Sequence, residues 1–248
     1  MSSDAPAPAP RSAAADHGHP EPVGTSAARL NWLRAGVLGA NDGIISTAGV
    51  VIGVAAATPN RTAVLVAGLA SLAAGAMSMA VGEYVSVSTQ RDSEKALLEK
   101  ERRELEEMPE EELEELAAIY RAKGISDDLA HQVARQLTEH DALGAHAEAE
   151  LGIDPDDLTN PWHAAWASMV AFTLGALLPL VAILLPPQEW QVQVTVAAVL
   201  LALFLTGTVS ATLGGAPRGP AVARNVLGGA LAMALTYGIG SLMGVTVV

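Results

Sequence analysis

"GAMSMAVGEYVSVSTQRDSEKALLEKERRELEEM", residues 75–108, passes from apolar to densely charged sequence with no turn signal on the way. Neither Gly nor Pro occurs between Gly82 and Pro109, so nothing local interrupts an α-helix there. The apolar run begins near Thr62, and the whole stretch reads as one helix over residues 63–107. At 1.5 Å per residue it is about 68 Å long, against a hydrocarbon core of about 30 Å. Such a helix crosses a membrane and projects well beyond it. Glu83 falls inside the apolar part, where a charge costs on the order of 2.5–3.5 kcal/mol, so an acid there points to a purpose.

The composition agrees. Half of the 248 residues are hydrophobic but only 4% are aromatic, and the mean hydropathy is positive. Five windows of about 20 mostly apolar residues stand out, at 35–57, 62–88, 164–185, 190–213 and 221–247. The expected fold is an all-α integral membrane protein of five transmembrane helices, with an acidic helical-bundle insert between the second and third. The chain divides into a disordered tail rich in Ala, Pro and Ser (1–28), spans 1 and 2 (29–90), the insert (91–160) and spans 3 to 5 (161–248). His17 and His19 read as part of the solvated tail.

The net charge of −13 is concentrated in the insert, where 21 acids face 8 bases while the rest of the chain is balanced. Such a surface attracts cations and repels nucleic acid. The absence of cysteine excludes disulfides, thiolate metal sites and cysteine nucleophiles. Arg29, Arg34, Arg91, Lys95, Arg218 and Arg224 flank the spans on one side and Arg61 alone on the other, which puts the N-terminus and the insert in the cytosol. Trp162, Trp166 and Trp190 sit at span ends, as interfacial aromatics do. The wealth of Ala and Gly behind a short tail points to a bacterium and hence to its plasma membrane.

Three shorter helices are expected in the insert. Pro109, followed by Glu110, Glu111 and Glu112, suits a helix start, and Lys123 with Gly124 an end. Ser126 is placed to cap the next helix. The third runs over about 142–151 and stops at Gly152.

Two sets of residues could carry chemistry. In span 2, Met79 and Glu83 are one turn apart, and Gly68, Gly75, Gly82 and Ser86 lie on or beside the same face, as in a helix–helix seam; Met77 looks elsewhere and reads as ordinary packing. In span 1, Asp42 shares a face with Ser46, Gly49 and Gly53. Either Asp42 snorkels to the interface or caps a broken helix, or it lines one polar path with Glu83, Met79 being a soft neutral ligand. Carboxylates with a thioether suit Fe²⁺ better than Ca²⁺ or Mg²⁺. Gly228, Ala232, Thr236, Gly240 and Gly244 in span 5 read as a packing stripe. In the insert, Glu101 and Glu104, then Glu112 and Glu115, form i,i+3 pairs that a divalent ion could bridge, with Glu148 and Glu150 near His146. A run of Glu is also the ordinary make-up of a solvated face.

The motifs "LGANDGIISTAGVVIGVAAA" (38–57), "AGAMSMAVGEYVSVSTQRD" (74–92), "EKERRELEEMPEEELEELAAIYRAKGIS" (99–126), "AEAELGI" (147–153) and "AFTLGALLPL" (171–180) resemble, in order, the vacuolar iron transporter family, which includes yeast and plant importers and bacterial homologues. The resemblance covers Leu30 to the C-terminus. It implies a homodimer with five spans per subunit, a translocation path at the dimer interface, a cytosolic metal-binding domain reached by the extended second helix, and proton-coupled export of Fe²⁺, sometimes Mn²⁺, from the cytosol. It assigns the path to Asp42, Met79 and Glu83 and the cytosolic ligands to Glu101, Glu104, Glu112, Glu115 and Glu150. One departure stands out: plant members carry a Met pair shortly before the "ELG" glutamate, where this chain has His146 and Ala147. His146 therefore joins the candidate ligands, and the metal preference is open.

The expected function is a transporter rather than an enzyme. The ions are cargo, and no cofactor is expected; the partners are divalent metal, lipid and a second copy of the chain. A ferritin-like di-iron oxidase would need Glu-x-x-His, which the sequence lacks; Asp128 and His131 come near it with an Asp in place of the Glu. A membrane-anchored metal sensor or scaffold with an acidic cytosolic domain is the alternative, and it gives Asp42 and Glu83 no reason to lie in the bilayer.

Overall fold

The computed structural model describes the backbone of residues 26–246 and the side chains of residues 36–244. Its elements are α1 (Ser26–Ala57), α2 (Arg61–Glu107), α3 (Pro109–Ala122), α4 (Asp127–His146), a π-helical turn (Ala147–Leu151), α5 (Pro161–Leu184), α6 (Gln191–Leu213) and α7 (Arg218–Thr246). No strand occurs among the described residues. Five helices, α1, α2, α5, α6 and α7, are long and apolar enough to cross a membrane. α1 opens at Ser26, and the tail expected before it, with His17 and His19, lies outside the described residues.

α1 is the hub of the membrane bundle, packing on α2, α5, α6 and α7. Glycines allow this, because backbones meet where a side chain would stand. A Cβ on Gly43 would come within 2.2 Å of the Phe172 carbonyl oxygen, and one on Gly175 within 2.3 Å of the Ala40 carbonyl oxygen, which locks α1 to α5. On the far side, Gly240 lies against Gly53 and Gly244 against Ala57, joining α1 to α7. Gly229, one position from the expected stripe, packs on Leu203, whereas Gly228 meets nothing within 4 Å. One polar bond ties α1 to α6: the Thr206 hydroxyl donates to Asn41 Oδ1 over 2.7 Å.

α2 is unbroken over 47 residues, about 70 Å, and the expected span over 62–88 covers little more than half of it. Asn60 caps its start by accepting from the N–H groups of Thr62 and Ala63. Arg61 donates to the carbonyls of Leu184 and Pro186, each at 2.6 Å, which satisfies the end of α5 and holds the α1–α2 and α5–α6 turns together. Gly68 and Gly75 of the expected seam face Leu180 and Phe172 of α5, but Gly82 has no neighbour within 4 Å. Met77 is 59% exposed and so is not packed within this chain.

Beyond the membrane segment, α3 and α4 pair around Leu116, Ala117 and Ala134. Pro109 starts α3, and Gly124, with φ +93°, turns the chain toward α4. Ser126 stands at the start of α4 in extended conformation, but its hydroxyl makes no capping bond. The backbone is extended at Asp141, whose carboxylate accepts from the Gly144 N–H at 3.0 Å. That cap starts a new stretch of helix where the third insert helix is expected.

The glycine contacts make a direct test. Gly43→Ala is expected to destabilise the protein by about 1–3 kcal/mol or more through overpacking, and Gly82→Ala by no more than about 0.5 kcal/mol. Thermal unfolding midpoints of the two purified variants in detergent check the contrast.

Candidate metal centre

Four elements converge beyond the membrane segment. The projecting end of α2 supplies Glu101, the first turn of α3 Glu112, the end of α4 His146 and the π-helical turn Glu150. One donor atom from each lies within 4.8 Å of the other three. The local chain explains the meeting. Pro109 at the first position of α3 turns the chain at Met108, so that Glu112 comes back beside Glu101. The cap at Asp141 and the wider π-helical turn set His146 and Glu150 one turn apart, and Gly152, with φ +66°, ends the turn.

The pocket is withdrawn from water. Glu101 is 3%, Glu112 5% and His146 0% exposed, while Glu150 closes the solvent side. His146 Nδ1 lies 3.0 Å from Glu101 Oε1 and 3.6 Å from Glu112 Oε2. The angles do not make hydrogen bonds: Glu101 Oε1 and both ring nitrogens of His146 are buried without a partner. Such orphaned polar atoms cost about 1–3 kcal/mol each and are rare in folded proteins. One nitrogen and three carboxylate oxygens within 4.8 Å of one another are a donor set that a divalent cation would satisfy.

The electrostatics point the same way. Burial pushes the Glu101 carboxyl up to about 7, reinforced by the charges of Glu150, Glu112, Glu104 and Glu115. Burial likewise raises Glu112 and Glu150, again with help from Glu115 and against the opposing charge of Lys100. Burial lowers His146, with Glu115 pulling the other way. The pocket thus resists holding its own negative charge in the absence of a cation.

The candidate ligands do not all stand alike. Glu101, Glu112, His146 and Glu150 are brought together. Glu104 is half-buried and engaged with Lys100, and Glu115 is exposed at the rim, close enough to act on its neighbours' protons. Lys100 is a component that the sequence reading missed; its i,i+4 spacing to Glu104 is the signal that would have found it. In the membrane, Met79 is half-buried against Phe172 and Ala176, with Met169 beside them, and Glu83 is half-buried one turn further on. Asp42 is exposed on the outside of α1. The side chains of Asp42, Met79 and Glu83 make no hydrogen bond or ion pair among the described residues.

Comparison with known proteins gives the context. The family model described as VIT family matches residues 33–241. A protein of Acanthamoeba castellanii named vacuolar iron transporter is 46% identical over 225 residues, which cover 90% of this chain and 82% of that one. Vacuolar iron transporter homolog 1 of Oryza sativa subsp. japonica is 39% identical over 88% of this chain and 76% of its own length. Vacuolar iron transporter homolog 3 of Arabidopsis thaliana is 38% identical over 87% of this chain and 85% of its own length. Matched along nearly all of its length, this five-span chain with its acidic pocket belongs to the VIT family.

Proposed function

We propose that the protein is a secondary transporter that moves divalent iron, and manganese as a close chemical relative, out of the cytosol in exchange for protons. The observation that carries this reading is the pocket of Glu101, Glu112, His146 and Glu150, whose orphaned donors are gathered where a cation would sit. A set of carboxylates with one imidazole suits borderline divalent ions of the first transition row, and the names of the relatives supply iron. The charge rule across the loops puts the insert, residues 91–160, in the cytosol, so the pocket collects metal on the side from which it is to be removed. The membrane of this reading is the bacterial plasma membrane.

The path then runs from the pocket to Glu83, Met79 and Asp42 at the interface of a homodimer. Two features support a second copy. An ionised Asp42 facing lipid would cost on the order of 2.5–3.5 kcal/mol. The exposed side of α2 also carries Ala70, Ala74, Ser78, Gly82 and Ser86 at four-residue steps, a surface to which another helix can come close. Covering it would enclose the space beside Glu83. Metal binding needs these carboxylates deprotonated, so protons and metal compete for the same groups, and this competition is the simplest basis for exchange.

Flux tests the path. Glu83→Ala is expected to abolish the uptake of Fe²⁺ and Mn²⁺ into proteoliposomes under an imposed pH gradient while the protein still elutes as a dimer; wild-type flux in this variant would remove Glu83 from the path. The pocket is tested by titration. Glu101 holds its proton to about pH 7, so Mn²⁺ should bind the wild-type protein about tenfold more weakly at pH 6 than at pH 8, and Glu101→Gln should flatten that dependence. Stability without metal follows from the same shift. An unfolded Glu101 loses its proton near 4.5 and the folded one only near 7, so the metal-free protein loses stability as pH rises through that window. Burial of His146 works the other way below 6.5, and burial of Glu112 and Glu150 works with Glu101. Thermal unfolding of metal-free protein should show a falling midpoint from pH 5 to 7.5, and added Mn²⁺ should raise it more at pH 8 than at pH 6.

A further inference from the structure

We infer that the groove between α6 and α7 binds an anionic phospholipid, its phosphate against Arg218 and one acyl chain along the groove. The groove has a volume of about 640 Å³ and is lined by Phe204, Thr208, Val222, Val226 and Leu227 below Arg218. Its floor is set where Gly207 lets the two helices touch: a Cβ there would come within 3.0 Å of Val222 Cα. Phe204 and Leu227 are exposed on its walls.

Length, polarity and charge argue for the occupant. Arg218 opens α7 and Leu227 lies nine residues on, so the groove runs about 14 Å along the helix, close to one leaflet of a hydrocarbon core about 30 Å thick. The Thr208 hydroxyl already donates to the Phe204 carbonyl at 2.8 Å, so below Arg218 the groove offers mainly apolar surface. Arg218 has neither ion pair nor hydrogen bond among the described residues, and the sequence from Gln191 to Val248 contains no acid. Among the described residues no acid meets it, and its charge is open to an anion from the membrane surface. The first N–H groups of α7 add partial positive charge at the same place. A phosphate with no cation of its own complements this mouth better than a zwitterionic headgroup, which brings its own ammonium. This inference is independent of the transported ion.

Native mass spectrometry of the full-length protein, released from detergent with equal amounts of phosphatidylglycerol and phosphatidylcholine, tests it. The wild-type protein should retain phosphatidylglycerol preferentially. Arg218→Gln should lower that occupancy about fivefold, Arg218→Lys should keep most of it, and Ala223→Trp, which fills the groove, should lower it with the arginine intact. If Ala223→Trp does not fold, the Gln and Lys pair still decides. Equal retention of the two lipids, or full retention in Arg218→Gln, overturns the proposal. Displacement of the lipid by inorganic phosphate overturns it in favour of a free anion. The chain has no native cysteine, so efficient short-range cross-linking between Leu227→Cys copies in membranes would show a second subunit in the groove, and this too overturns it.

Discussion

The architecture depends on the unbroken backbone hydrogen bonding of α2. One helix is shared between two environments that have nothing else in common, an apolar bundle and an acidic insert, and no Gly or Pro after Gly82 allows them to move apart. Its lower part is fixed by contacts in which glycine admits the side chains of α5, and its upper part is gripped by α3, α4 and the π-helical turn. Glu83 and Glu101 are 18 residues apart, five full turns, so they stand on the same side of the rod about 27 Å from one another. A break anywhere between them would uncouple the pocket from the membrane.

The second constraint is the cost of burying charge. Three carboxyls and an imidazole with few hydrogen bonds to one another are a poor way to stabilise a small helical domain, whose apolar centre is little more than Leu116, Ala117, Ala134 and their neighbours. The protein limits the cost locally: burial raises Glu101 to about 7 and lowers His146, both toward the neutral form, and Lys100 answers Glu104 at the edge. An arrangement stable only with a proton or a cation in place is sensitive to both, which suits the exchange proposed here.

Much of this was legible in the sequence because it is written in local rules. The long helix, the start at Pro109 and the stop at Gly152 follow from helix breakers and caps. The choice among acids was not. Spacing presents Glu101 with Glu104 and Glu112 with Glu115 as equal pairs, yet one member of each is buried and the other is turned to the rim, because the side on which α4 packs is decided by tertiary contacts and by the break at Asp141. In the membrane the same difficulty appears within one dipeptide: Asn41 turns inward to Thr206 while Asp42, 100° further round the helix, looks out. Gly82, expected in a helix–helix seam, and Met77, expected in ordinary packing, are both bare within this chain, which bears on what lies next to it.

The placement of Glu150 on the π-helical turn bears on how an ion could enter and leave the pocket. Glu101 and Glu112 stand within regular α-helices and are buried, whereas Glu150 sits at the exposed edge on a five-residue π-helical turn that rests on the insert core through Ala147 and Ala149 and is ended by the left-handed Gly152. A cage of four equally rigid walls would hold its ion for long periods, and a carrier that loads and unloads needs binding firm enough to capture and loose enough to release. In the exchange proposed here, an ion that parts first from the exposed Glu150 can leave on the solvent side while the three buried donors stay where packing holds them.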